Sequence, residues 1–394
     1  MLPSACIMVG EDVETLPRTL HSLAGVADEI LILSTADSED LSRISRNFSA
    51  RVCRIPWADD FAAVRNVGFS LARSPWILWL DSDEWLDEAS RHELNVCIES
   101  STALAWLVNI HDRSGAQGVS RYSPTALPRL FRRLPELQLT GRVHEHFNPE
   151  LNLTARKLKL SIERSNITIF HDGYHPDKEA DKLRRNIRLI ELELQDRPGE
   201  LFYQIRLSQA LLKIGDSRAF HFLRQAWQQV RPVSASDQPP PEALVAELLD
   251  SILVRQIRGE FDSGESVEEL LERAANWYPL WPPLIWRRAN WKFKSGRMEE
   301  AVAALEHILQ LAAAGSYQHT PSFDAAILAG ETCLSLGICY AGLQRLDIAE
   351  HYFILAARDP ARKLAAEHNL TLLAAARRGR AGGHGREASG RDHS

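Results

Sequence analysis

The chain has 394 residues, a formal net charge of −6, 45% hydrophobic and 25% charged residues. That length exceeds one ordinary core, so two domains are expected, with the composition of soluble globular protein. The acid excess excludes the basic stripe of a nucleic-acid binder, and no apolar run of about 18 residues offers a membrane span. Met1–Gly10 lacks the basic start and long apolar core of a signal peptide, so a cytoplasmic location is expected. Cys6, Cys53, Cys97, Cys333 and Cys339 are dispersed with no CxxC pair. Such a set fits reduced, mostly buried thiols better than disulfides or a zinc site.

Ala5–Val9 reads as a strand and Glu14–Leu23 as a helix. Glu29–Leu33 is again apolar and extended, and Leu41–Phe48 is helical. Arg51–Ile55 is a third strand, Phe61–Ala72 a third helix, and Trp76–Leu80 a fourth strand that ends in Asp81-Ser82-Asp83-Glu84. Strands alternating with short helices predict a mostly parallel α/β sheet, which binds ligands beyond the carboxyl ends of its strands. A run of acids directly after a buried strand stands at that place.

From Asp177 onward strand-like runs vanish and helical periodicity dominates to Arg377. Leu336, Gly337, Tyr340, Ala349, Phe353, Ala356 and Pro360 fall close to the offsets of a 34-residue tetratricopeptide unit. Ala289, Gly296, Ala301, Leu305 and Ile308 match more loosely, and a degenerate unit covers Tyr203–Gln229. Pro239-Pro240-Pro241 interrupts the array as an exposed connection. The Gly-, Arg- and Ser-rich tail after Arg377 is expected to be disordered. The divisions are thus residues 1–176, 177–376 and 377–394.

Asp81 and Asp83 form a DxD, whose carboxylates can share a hard divalent cation that bridges substrate phosphates. Alternatively, Asp81 or Asp83 caps the helical stretch Glu88–Ile98. Arg65, near a helix start, either pairs with phosphate or ribose or makes a surface ion pair with Asp59 or Asp60. In Gly141-Arg142-Val143-His144-Glu145-His146, a His–Glu pair after a glycine turn can supply a general base; the plain alternative is a polar loop. His171, in His171-Asp172-Gly173-Tyr174, can complete a metal site or be merely structural.

Taken together and in order, Asp28-Glu29-Ile30, Trp57–Asn66, Trp76–Glu84, Pro128-Arg129-Leu130-Phe131-Arg132, Gly141–Glu145 and His171–Tyr174 resemble a family 2 glycosyltransferase. The subgroup most resembled is SunS-like and carries tetratricopeptide repeats after its catalytic domain; Lys182-Leu183-Arg184-Arg185-Asn186 is similar to its linking helix. The resemblance implies an α/β catalytic domain of the GT-A fold, Rossmann-like with a mostly parallel sheet, followed by an all-α tetratricopeptide-like repeat domain. It implies metal-dependent, inverting transfer of a sugar from a nucleotide diphosphate sugar, a UDP-sugar, to a protein, peptide or glycan acceptor.

On matching positions, Asp81, Asp83 and His171 would hold Mn2+ or Mg2+. Arg65, Asn66, Asp60, Ser34, Asp81 and Ser82 would contact the nucleotide sugar. Glu145, with His144 beside it, would be the catalytic base. Two positions depart from the family pattern. Ser34, followed by Thr35-Ala36-Asp37, stands where an Asp contacts the nucleotide base, and Gly10-Glu11 stands where Asn-Glu is usual. These departures favour a second reading, a non-catalytic transferase domain supporting a repeat scaffold. Asp81, Asp83, Arg65 and Glu145 count against it, because a scaffold needs none of them. The repeats are expected to hold the acceptor or to form a homodimer.

Overall fold

A computed structural model of the chain describes residues 1–36, 39–113, 122–147, 149–172, 176–242 and 244–387. Two compact units result, Met1–Gln229 and Val230–Ser394. No helix among the described residues is long and apolar enough to cross a membrane.

In chain order the first unit contains β1 (Ser4–Val9), α1 (Leu16–Ser22), β2 (Glu29–Ser34), α2 (Glu39–Asn47), β3 (Arg51–Arg54), α3 (Phe61–Leu71) and β4 (Trp76–Asp81). There follow β5 (Glu84–Leu86), α4 (Ser90–Glu99), β6 (Ala103–Asp112), β7 (Thr125–Arg132), α5 (Glu150–Leu158) and β8 (Ser161–His171). Helices α6 (Pro176–Asp196), α7 (Leu201–Lys213) and α8 (Ala219–Val230) end it. The eight strands form one sheet in the order β3-β2-β1-β4-β7-β6-β8-β5. Strands β3, β2, β1 and β4 run parallel; β7 then pairs antiparallel with both β4 and β6, and β8 runs parallel to β6. This is the expected α/β domain with its mostly parallel half in front.

Every residue of β1 is buried, as is every residue of β4 except Asp81. Helices on both faces explain this: a strand with no wet side reads as a continuous apolar run. The two faces form two cores, one around Ile7, Leu20, Leu78 and Leu80, the other around Leu31, Leu33, Ile77 and Phe131. Helix α3 starts at Asp60, whose carboxylate accepts the N–H of Ala63 at 2.8 Å, a side-chain N-cap. It lies so close to β2 that any Cβ at Gly68 would collide with the Leu33 side chain. Asp81 is the last residue of β4, where a parallel sheet opens to ligand.

Residues 177–229 belong by their contacts with the first unit. Glu193 of α6 accepts the backbone N–H of Arg142 at 2.8 Å, and Asp196 accepts Arg142 Nη2 at 2.7 Å. Val143 is buried among Ile187, Ile190, Tyr203 and Leu207. The degenerate repeat read at Tyr203–Gln229 is therefore α7 and α8, whose helices help hold the loop at 141–145.

The second unit is helical: α9 (Val245–Ile257), α10 (Val267–Trp277), α11 (Pro282–Lys294), α12 (Met298–Ala314), α13 (Gly330–Gly342), α14 (Leu346–Ala356) and α15 (Lys363–Glu387). The repeat positions do what their residue types allow. Ala289, Ala301, Leu305, Ile308, Leu336, Tyr340, Ala349 and Phe353 share one core. Gly337 lies against the Phe353 ring, where a Cβ would clash. Helix α15 runs past Arg377, into the segment expected to be disordered, because Ala374-Ala375-Ala376-Arg377-Arg378 are strong helix formers. All five cysteines are free, four of them buried.

Candidate active site

Trp79 and Asp81 lie two residues apart on β4 and so point to one face of the sheet. Arg65 of α3 and Arg129 of β7 stack on the Trp79 ring, at 4.3 and 3.6 Å from its centroid. Held there, both guanidinium groups reach the acids. Arg65 Nη2 donates to Asp81 Oδ1 at 2.6 Å, and Arg129 Nη2 lies 3.8 Å from Asp81 Oδ2. Burial opposes ionisation of Asp81, but the two arginines hold its carboxyl well below the usual carboxylate range.

Arg65 also donates from Nε to Glu145 Oε1 at 2.5 Å. It is therefore a buried bridge and not a surface partner of Asp59 or Asp60. Asp59 instead pairs with Arg188 and accepts the Trp57 indole N–H at 3.0 Å. Glu145 sits in a loop closed by the reciprocal backbone bonds of Thr140 and His146, at 2.9 and 3.1 Å. Gly141 turns that loop at φ +100, a left-handed conformation that favours glycine, and the Tyr203 hydroxyl lies where a Cβ would be. The N–H of Phe61, at the start of α3, donates to Arg142 O at 3.0 Å, tying helix to loop.

The DxD turn is held from three sides. Thr15, the N-cap of α1, and Thr19 within it each donate a hydroxyl to Ser82 O at 2.8 Å. Glu84, fully enclosed, accepts the Asp81 N–H at 2.8 Å and Arg129 Nη2 at 2.7 Å. Burial raises the Glu84 pKa despite Arg129, and the neighbouring Asp81 charge pushes the same way. Strand β5 pairs with β8 in the register Glu84↔His171. His171 Nε2 consequently lies 3.3 Å from Asp83 Oδ2. Burial works against a charged ring at His171, but the hydrogen bond and charge of Asp83, with Glu84 and Asp81 behind, push it up to about 9.

Neither acid of the DxD caps α4: its N-cap is Ala89, with no side-chain cap. Among the described residues no cluster of three or more His, Cys, Asp or Glu side chains is placed to hold a metal ion. Asp83, about a third exposed, supplies an oxygen donor, and His171, about a quarter exposed, supplies a nitrogen donor once its ring gives up the proton that Asp83 stabilises. Two protein ligands fit a cation that takes its remaining positions from water and a diphosphate, as Mg2+ commonly does. Asp81 is less suited as a direct ligand, because Arg65 already occupies Oδ1.

The other sequence-predicted residues fall into different places. Asp60 is the α3 cap described above. Asn66 is committed to backbone, donating to Leu139 O and accepting Leu139 N–H, both at 2.9 Å. Ser34 is buried at the end of β2, and its hydroxyl donates to Ala36 O at 2.5 Å. Ser82 contributes its carbonyl to the α1 threonines. His144 is exposed at positive φ, beside Glu145. Asp37, Gly173 and Tyr174 lie outside the described residues. Arg129, Glu84 and Trp79 were not singled out from sequence as site residues, although each lies inside a motif that was.

Residues 4–134 match the model of glycosyl transferase family 2. A TPR repeat-containing protein of Synechococcus elongatus is 31% identical over 246 residues, covering 59% of this chain and 58% of that one. The prophage-derived glycosyltransferase SunS of Bacillus subtilis is 25% identical over 238 residues, covering 56% and 52%. The chain thus spans little more than half the length of these curated relatives. A crystal structure of S. aureus TarS 1-349 in complex with UDP-GlcNAc aligns over 70% of this chain and 91% of that one, at 13% identity and a TM-score of 0.41. Arg65, Asp81 and Asp83, at the carboxyl end of β4, therefore lie within the stretch that is similar to glycosyl transferase family 2.

Proposed function

We propose that the chain transfers a sugar from a nucleotide diphosphate sugar, a UDP-sugar, to a nucleophile on a protein, peptide or glycan, with inversion at the anomeric carbon. The observation that carries this reading is the convergence of four segments, α3, the 141–145 loop, the end of β4 and the end of β8, at one end of the sheet. Arg65 ties Glu145 to Asp81, and Asp83 faces His171 within two residues of Asp81. The match to glycosyl transferase family 2 over residues 4–134 supports the same chemistry.

In this reading the nucleotide lies across the ends of β1, β2 and β4, near Ser34 and Asp81. Asp83 and His171 hold Mn2+ or Mg2+, which when bound neutralises charge on the departing diphosphate. Glu145 takes the proton from the acceptor nucleophile as that atom attacks the anomeric carbon from the face opposite the diphosphate. Arg65, bonded to Glu145 Oε1, keeps the carboxylate oriented toward the acceptor. The helical unit holds the acceptor or a second copy of the chain.

Release of UDP from UDP-sugars, with Mn2+ and in the presence of candidate acceptors, tests this directly. Glu145→Gln is expected to cut turnover by a factor of about 100 or more, the usual contribution of a general base, while UDP still binds. Unchanged turnover in Glu145→Gln would remove the base assignment.

A further inference from the structure

Strand β5 has three residues, Glu84–Leu86, and stands at the edge of the sheet beside β8. Strand β8 is secured on its other side by β6. Asp112 is the register partner of His171, and the Arg113 N–H donates to His171 O at 2.8 Å. His171 is thus placed by a long strand pair, while Asp83 precedes a strand at the short limit of strand length, which makes few ladder bonds of its own.

Helix α1 supplies what β5 lacks. Thr15, Arg18, Thr19 and Ser22 lie three or four residues apart and so share one stripe, and each of them touches the 82–86 segment. The two threonines hold Ser82 O, and Ser22 Oγ accepts the Leu86 N–H at 3.0 Å. Between them Arg18 lays its guanidinium over the Trp85 ring, 3.0 Å from the centroid. Its Nη1 also donates to Asp172 Oδ2 at 3.1 Å. Asp172 in turn donates its backbone N–H to Asp83 O at 3.1 Å. Arg18 therefore reaches both sides of the Asp83–His171 pair: β5 through Trp85, and β8 through the residue after His171.

We propose that Arg18 is a positioning residue: by clasping Trp85 to Asp172 it holds Asp83 against His171, and so sets the affinity of that pair for a divalent cation. The cation rests on the function proposed above; the clasp does not. Arg18 and Asp172 are each nearly half exposed, and an ion pair in that setting adds little to stability. The clasp acts on the geometry of the pair rather than on folding. Residues that orient a metal's ligands change its affinity by a factor of about 10 to 100, and the exposure of Arg18 places it at the lower end.

The test uses the full-length protein and two readouts. On metal-free protein, exchange of the Asp172 amide hydrogen is followed by NMR. With excess UDP present, Mn2+ is titrated by electron paramagnetic resonance. Arg18→Met keeps an apolar contact with Trp85 but cannot bond Asp172. It should speed the exchange by about tenfold or more and weaken Mn2+ binding by about tenfold, with the melting temperature unchanged. Arg18→Lys, which keeps the charge, should recover part of both. Arg43→Met, which breaks an exposed pair with Asp40 on α2, should change neither. An unchanged exchange rate in Arg18→Met would overturn the proposal, as would unchanged Mn2+ affinity. A wild type that binds no Mn2+ would remove the cation reading instead, and the exchange rate alone would then decide the clasp.

Discussion

Glu145 Oε1 accepts a hydrogen bond from Arg65 Nε at 2.5 Å, joining residues 80 apart in sequence. Through the same guanidinium group Glu145 is linked to Asp81. The residue proposed to take the acceptor's proton and the acid at the end of β4 are thus positioned by one buried side chain.

Removing that side chain should be costly. Arg65→Met leaves Glu145 enclosed without its cation and frees one oxygen of the partly exposed Asp81. Breaking a buried pair from one side typically costs about 3–5 kcal/mol; because Asp81 is 35% exposed, the lower end, about 3 kcal/mol, is expected. Urea unfolding followed by circular dichroism measures it. A loss below about 1 kcal/mol, the level of an exposed ion pair, would contradict the bridge.

The loop carrying Glu145 depends on Gly141. Gly141→Ala meets both the positive φ and the Tyr203 hydroxyl, and should destabilise by more than about 1 kcal/mol. Tyr203 Oη is buried with no hydrogen-bond partner among the described residues. Tyr203→Phe alone should therefore be neutral or stabilising by up to about 1 kcal/mol. In the double variant the cost of Gly141→Ala should shrink but not vanish, because the φ strain remains. Strict additivity in that cycle would place Tyr203 away from the loop.

His146 closes the same loop, its ring edge-on to Phe202 at 5.1 Å. Burial lowers its pKa, and Arg197 adds to the effect. The folded state thus prefers the neutral ring more than the unfolded state does. Its contribution is full above the unfolded value of about 6.5 and falls away as pH drops below it, because the unfolded chain then binds the extra proton. The urea midpoint should decline between about pH 7.5 and 5.5, and the decline should flatten in His146→Phe. An identical slope in both proteins would assign it to other groups.

Much of the first half was legible because β1 and β4 are buried on both faces and so spell unbroken apolar runs. Asp81-Ser82-Asp83 was legible for the same reason, lying where such a run stops. His171 was grouped with Asp83 only through the resemblance; the pairing that brings them together was not legible, because β5 is three residues long and too short to show a period. Nor was the role of Arg65: its two acids come from β4 and from a loop far along the chain. Asn66 and Asp60 were assigned to the nucleotide sugar only through the resemblance; in the fold Asn66 bonds to the backbone of Leu139, and Asp60 caps α3. Residues 177–229 read as the start of the repeats, since helical periodicity does not say which core a helix joins. Glu193 on Arg142 and Tyr203 beside Gly141 decide that.

A nucleotide diphosphate held with a divalent cation at Asp83 and His171 is the core of the proposed chemistry. Thermal unfolding with UDP, in the presence and absence of Mn2+, tests it most directly on the wild type and Asp83→Ala. At a hundred times its dissociation constant a ligand adds about 2.7 kcal/mol of stability. A gain near that size is expected for UDP with Mn2+, little for UDP alone, and none in Asp83→Ala. No metal-dependent gain in the wild type, or an equal gain in Asp83→Ala, would contradict it.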